Sequence, residues 1–341
     1  MMSWFSYFLL LFGLGWACVG LFRAYAEEKG MLDRPNDRSS HKIPTPRGGG
    51  VIFFVGWFLL LGFLRYIDYV STEVAIYFLP VIIVGLIGFW DDHKGLSSET
   101  RFFFQILAAI AFLFLLSEGG MLVQDWLPWS IPLPLCFLFL VMGIVWFINL
   151  YNFMDGVDGF AATQAVFIFG ISSYLLYTLQ AYELSVLGVG LCALLVGFLT
   201  WNWPVARIFM GDCGSYFLGF LVIAYALLSH KYFNVPLSIW IILTGPFWFD
   251  ATITLLRRII ARENWRQAHR SHAYQRMIQS GWSHQRVLLC LIALNAALGF
   301  LAVIAFFDHR LIPFSLGVTF SLLACTYIMV ELAKPMFRRW N

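Results

Sequence analysis

Asp155 and Asp158 lie three residues apart in the segment NLYNFMDGVDGFA (149–161), behind two amides, Asn149 and Asn152. Each aspartate is followed by glycine, which lets a backbone approach a ligand closely. An aspartate beside a helix start can act as a cap. A cap does not account for two Asp-Gly steps and two amides together. A second pair, Asp91 and Asp92, directly follows Trp90 at the end of an apolar run. Adjacent like charges near low dielectric repel each other and call for a cation. Asp212 stands in FMGDCGS, just before another apolar run. Unpaired N–H groups at a helix start there suit a phosphate, and the carboxylate suits a hard cation. Five carboxylates on three segments, with no lysines matched to them, indicate a cation bound together with phosphate. Oxygen ligands of this kind favour Mg²⁺, with Mn²⁺ as a substitute. His269 and His272, spaced i, i+3, would share a face if helical. Arg262, Arg266, Arg270, Arg276 and Arg286 surround them, so an anion suits that segment better than a metal. The chemistry indicated is phosphoryl transfer.

The elements that carry these residues are membrane spans. Hydrophobic residues make up 60% of the 341 and charged residues 12%, against about 45–50% and about 25% in soluble domains. Apolar stretches of bilayer length recur throughout. They read as eleven helices, near 3–25, 49–66, 74–90, 102–117, 132–150, 160–180, 184–201, 215–230, 236–256, 287–307 and 311–330. The expected fold is therefore all-α: one polytopic membrane domain over 1–341, without a separate soluble domain. Of the 22 Lys and Arg, 19 lie on the side of the odd-numbered connections and the C-terminal tail, and Arg65, Lys231 and Arg310 lie on the other. The positive-inside rule then places the N-terminus outside and the C-terminus in the cytoplasm. The first span reads as an uncleaved signal-anchor, because a basic loop follows it and no basic residue precedes it. The polar segments near 26–48, 91–101, 149–160, 202–215 and 257–286 all share the cytoplasmic side. A transporter or lipid flippase is the rival class. It would place ionisable groups near the midplane and on both faces, unlike this one-sided pattern. The six cysteines show no metal or disulfide spacing, and nothing resembles a nucleic-acid reader.

These segments, in this order and on one face, resemble the polyprenyl-phosphate N-acetylhexosamine-1-phosphate transferases over roughly Asp33 to Arg276. The resemblance implies a bacterial inner-membrane enzyme with its active site facing the cytoplasm. The implied reaction joins undecaprenyl phosphate to the sugar phosphate of a UDP-N-acetylhexosamine and releases UMP. It implies catalytic roles for Asp91, Asp92, Asp155 and His272, and Mg²⁺ binding by Asp212 with Asp155. Asn149, Asn152 and Asp158 match the motif that holds the nucleotide-sugar. Asn202 matches a nucleotide contact and Phe209 a residue that stacks on uracil. One of His41, Lys42 and Arg47 contacts the nucleotide. His269, Arg270 and Arg276 face the remaining phosphate charge, and a homodimer is compatible with the family. The ninth connection departs from the family pattern. It reads HRSHAYQRM, with Tyr274 and Gln275 where many relatives carry histidines. That variant looks most like enzymes that start O-antigen chains, often with 6-deoxy-N-acetylhexosamines.

Overall fold

The computed structural model describes residues 3–35, 43–117, 132–264 and 269–337. The chain opens with α1 (Trp4–Glu28), a two-stranded ribbon of β1 (Leu32–Asp33) and β2 (Thr45–Pro46), and α2 (Gly50–Tyr66). Next come α3 (Thr72–Tyr77), α4 (Leu79–Lys94), α5 (Ser98–Leu116), α6 (Leu133–Phe153), α7 (Phe160–Thr178), α8 (Tyr182–Asn202) and α9 (Gly211–Phe233). The last elements are α10 (Leu237–Leu243), α11 (Gly245–Ile260), α12 (Ala273–Gln279), α13 (His284–Phe307) and α14 (Ile312–Ala333). The architecture is an all-α polytopic membrane bundle.

Among the described residues, nine stretches are long and apolar enough to cross a membrane, with α3 and α4 together forming one of them. The α10–α11 pair adds a tenth if its two parts make one span. The sequence suggests a continuous helix over 236–256. Instead the chain turns by 78° between α10 and α11. Pro246 lies at the break; it has no N–H to continue the ladder, and its ring crowds the preceding turn. The carbonyl of Leu243, freed there, accepts from Gln164 Nε2 at 2.9 Å, and Gln164 Oε1 accepts from Asn295 Nδ2 at 2.9 Å. The stretch read as the second span, α2, is 17 residues long, roughly 25 Å, and is short for a bilayer core of about 30 Å.

The most enclosed helix is α9, which packs against α4, α6 and α2. Small residues permit this closeness, as is common between membrane helices. A Cβ on Gly88 of α4 would lie 2.5 Å from the Asp212 carbonyl oxygen. Only glycine lets α4 lie so near the start of α9, and Asp92 follows one turn later. Aromatic rings on α2, α8 and α9 fill the interior beside this contact, with Phe53, Phe198 and Phe217 in edge or tilted contact.

Candidate active site

The site begins where α4 meets α9. Asp92 Oδ1 accepts the backbone N–H of Asp212 at 3.0 Å, and its Oδ2 accepts that of Cys213 at 3.1 Å. These donors belong to the first turn of α9, where N–H groups have no intrahelical partner. A negative charge is also favoured there by the helix dipole. Gly211 has φ +80°, and a Cβ there would lie 2.6 Å from Asp92 Oδ2. Backbone conformation and space therefore both require glycine before Asp212. Arg47 donates through Nη2 to the Asp92 carbonyl oxygen.

Its neighbour Asp91 is held by different partners. Its Oδ1 accepts from the Leu96 N–H at 2.7 Å, while its Oδ2 accepts from Arg101 and from the Tyr216 hydroxyl, both at 3.2 Å. Asp92 lines the main polar cavity and Asp91 does not.

Asn152, on the last turn of α6, donates to Asp212 Oδ1 at 2.6 Å and to the Ser215 hydroxyl at 2.9 Å. The loop from Met154 to Gly159 follows. Gly159 takes φ +73° at the start of α7, and its N–H donates to Asn202 Oδ1 at 2.9 Å. Asn202 Nδ2 donates in turn to the Ile208 carbonyl at 2.8 Å. This one amide joins the loop to the segment before α9. No side chain caps α7. Asp158 Oδ2 instead accepts the Ala206 N–H at 3.1 Å and lies 3.1 Å from His284 Nδ1.

The connection between α1 and α2 is tied to the same segment. Leu32 pairs with Pro46 and Asp33 with Thr45 in the ribbon. The Pro46 carbonyl accepts the Phe209 N–H at 2.8 Å, and the Phe209 carbonyl accepts the Gly49 N–H at 2.9 Å. His41 and Lys42 lie outside the described residues.

Together these contacts enclose a cavity of about 340 Å³. Its acidic wall holds Asp92, Asp155, Asp158 and Asp212, with Asn152 and Asn202 beside them. Phe209, Arg47 and Arg270 also line it, as do Asp33 and Gln275. Burial, followed by the charges of Asp212, Asp92 and Asp158, holds the Asp155 carboxyl well above the usual carboxylate range. Such crowding suits a divalent cation that takes further oxygens from a phosphate. Among the described residues, no three His, Cys, Asp or Glu side chains already form a metal cage.

The other expected residues stand back from this cavity. Asn149 donates to Gln105 Oε1 at 2.6 Å within the bundle. His272 is buried at the start of α12, with His269 at a ring distance of 4.9 Å. Its Nδ1 is 3.6 Å from Asp250 Oδ1, beyond hydrogen-bond reach. Arg276 faces the C-terminal helix, donating to Glu331 and to the Lys334 carbonyl, with its guanidinium over the Tyr327 ring.

Asp250 is a site-organising residue that the sequence reading passes over. It lies on α11, buried, and accepts the Ala273 N–H at 2.8 Å and the Tyr274 N–H at 3.3 Å. It thus anchors the start of α12. A carboxylate inside an otherwise apolar span was the available signal, because such charges are costly unless partnered. Asp33 heads a polar segment, but no spacing ties it to the other carboxylates.

A carboxylate-rich cavity at the ends of the helices of a polytopic α bundle is a place where a membrane protein could hold a cation together with an anion. The family model of glycosyl transferase family 4 matches residues 74–230. A Bacillus subtilis (strain 168) protein named "Probable undecaprenyl-phosphate N-acetylglucosaminyl 1-phosphate transferase" is 29% identical over 316 residues, covering 89% of this chain and 84% of its own. A phospho-N-acetylmuramoyl-pentapeptide-transferase of Lactiplantibacillus plantarum is 27% identical over 240 residues, covering 66% and 74%. Another of that name, from Geobacillus sp. (strain WCH70), is 26% identical over 295 residues, covering 80% and 88%. The chain thus resembles glycosyl transferase family 4 over residues 74–230 and, over most of its length, proteins named as undecaprenyl-phosphate N-acetylglucosaminyl 1-phosphate and phospho-N-acetylmuramoyl-pentapeptide transferases.

Proposed function

We propose that the chain transfers an N-acetylhexosamine-1-phosphate from a UDP-sugar to undecaprenyl phosphate, forming undecaprenyl-diphosphate-sugar and UMP. We place this at the cytoplasmic face of a bacterial inner membrane, as the first membrane step of O-antigen or a related glycan. One observation carries the reading. The acidic cavity adjoins an apolar groove of about 380 Å³ between α11, α12, α13 and α14. Met154, Phe160 and Tyr274 face the groove, whereas Asp155, Gly156 and Gln275 face the cavity. One wall thus separates a place for a charged nucleotide from a place for a hydrocarbon tail. The name of the Bacillus subtilis relative supports the reading through a lipid phosphate, undecaprenyl phosphate, and a transferred group, N-acetylglucosaminyl 1-phosphate.

In the proposed reaction an oxygen of the lipid phosphate bonds to the sugar-bearing phosphorus. The bond from that phosphorus to the UMP oxygen breaks, and the electron pair leaves with UMP. One diphosphate replaces another, so no further energy source is needed. A phosphomonoester has a second pKa of about 6 and is largely dianionic at neutral pH. The task is then to hold two anions in line rather than to remove a proton. Both Asp92 oxygens already accept backbone N–H groups, and both Asp91 oxygens are engaged as well. These bonds favour orienting roles over a general base. Asp212 and Asp155 would hold Mg²⁺, which supplies charge neutralisation when bound. Arg47 and Arg270 would meet the remaining phosphate charge, Phe209 would offer a face for the base, and Gln275 would meet the sugar end; all four line the cavity.

The test is UMP release by the purified protein with Mg²⁺, undecaprenyl phosphate and a panel of UDP-N-acetylhexosamines, including 6-deoxy sugars. UMP should form with at least one donor and only when the lipid is present. A transporter or flippase would release none.

A further inference from the structure

The loop bearing Asp155 and Asp158 is held by a residue outside the acidic cavity. The Tyr274 hydroxyl donates to the Phe153 carbonyl at 2.8 Å, where the chain leaves α6. Its ring stacks on Phe160, the first residue of α7, at 5.0 Å and 26°. Between them, a Cβ on Gly156 would lie 2.4 Å from the Tyr274 oxygen and 3.3 Å from its Cζ. One phenol therefore touches the loop at its entry, its middle and its exit. Asp250 fixes the tyrosine itself by accepting its N–H at 3.3 Å. Burial, then Asp250 and Asp155, push the hydroxyl well above its ordinary value, so it stays protonated and remains a donor.

We propose that Tyr274 is a positioning residue that fixes the Asp155–Asp158 loop against the ninth cytoplasmic connection. It acts through the loop backbone and has no contact with the reacting groups. Only the turnover readout below rests on the phosphosugar-transfer reading.

Wild type, Tyr274→Phe, Gly156→Ala and the double variant Gly156→Ala/Tyr274→Phe are compared as purified full-length proteins. Amide hydrogen exchange over 153–160 is measured without metal, alongside UMP release and the Mg²⁺ concentration for half-maximal rate. Tyr274→Phe leaves a buried carbonyl without its donor. Exchange in the loop should quicken and half-saturating Mg²⁺ should rise, each by roughly five- to a hundredfold, the range for orphaning one buried group. Gly156→Ala should be worse, because its methyl meets the hydroxyl. Removing that hydroxyl in the double variant should restore part of the loss. Unchanged exchange and Mg²⁺ dependence in Tyr274→Phe, or a double variant no better than Gly156→Ala, would overturn the proposal. If Tyr274→Phe does not fold, an undisturbed Gly156→Ala would still overturn it. A wild type that releases no UMP while exchange follows the expected order would count against the transfer reading alone.

Discussion

Asp92 and Asp212 are joined through the backbone: Asp92 Oδ1 accepts the Asp212 N–H at 3.0 Å, and its Oδ2 accepts the next N–H along at 3.1 Å. One carboxylate thus sets the direction of α9 at the point where a second enters the cavity. Asp92→Asn should damage this joint, because an amide presents one donor to two donors. An orphaned buried N–H costs about 1–3 kcal/mol. We expect turnover to fall by at least about tenfold, with a lower unfolding midpoint in detergent. An Asp92→Asn enzyme with wild-type turnover would show that the joint is dispensable.

The Asp155 carboxyl gives a pH prediction. Its folded-state value is raised, chiefly by burial and next by Asp212, Asp92 and Asp158. A raised carboxyl contributes stability below its unfolded value, near 3.9, and that contribution is lost as pH rises through the folded value. In EDTA the protein should therefore lose stability over the range above about pH 4, and Mg²⁺ should restore more of it at higher pH. Protons and the cation compete for the same oxygens, so the apparent Mg²⁺ affinity should strengthen as pH rises. Asp155→Asn should flatten both trends. Thermal midpoints across pH, with and without Mg²⁺, provide the check.

Arg270, just before α12, and Arg276, within it, should separate by phenotype. Arg270 lines the acidic cavity, whereas Arg276 is buried against Glu331 and Tyr327. Arg270→Ala should raise KM for the UDP-sugar by roughly tenfold, in line with a lost charge-assisted bond of about 1.5–3 kcal/mol, and leave the unfolding midpoint nearly unchanged. Arg276→Ala should lower the midpoint, because Glu331 is left without one partner, and should change KM little. Steady-state kinetics and thermal unfolding on both variants decide the matter, and a reversal of the two phenotypes would contradict it.

That contrast shows where sequence reading reaches and where it stops. The helical bundle was legible because length and hydropathy dominate the folding of a chain in a bilayer. The carboxylates at 92, 155, 158 and 212 were legible because charge beside an apolar run has few structural explanations. Arg270 and Arg276 are chemically alike in sequence. Only the position of α14 decides that one faces the cavity and the other Glu331. That Asp92 lines the cavity while the equally buried Asp91 meets Arg101 and Tyr216 likewise depends on how α4 packs on α9, which Gly88 permits. The bend at Thr244–Pro246 broke an apparently continuous span, and with it came the anchoring role of Asp250. Tyr274 and Gln275 stood out as departures at two adjacent positions. Packing puts one against the loop and the other at the cavity wall.

The distribution of basic residues predicts an orientation with the C-terminus in the cytoplasm. A phosphatase reporter active only outside the cytoplasm should be silent after Asn341 and active when inserted at Tyr182. The opposite pattern would place the acidic cavity on the outer face and contradict a cytoplasmic nucleotide-sugar donor.

The central claim is that the phosphate nearest the sugar moves with it to the lipid. UDP-N-acetylhexosamine labelled with ³²P at that phosphate tests this directly, using the donor that supports UMP release. After incubation with undecaprenyl phosphate, Mg²⁺ and purified protein, the organic phase should carry the label, and the released nucleotide should be unlabelled UMP. EDTA should abolish the transfer, and added UMP should return label to the nucleotide-sugar. Label recovered as UDP, with sugar alone on the lipid, would mean that the glycosidic bond is broken, and phosphosugar transfer would be refuted.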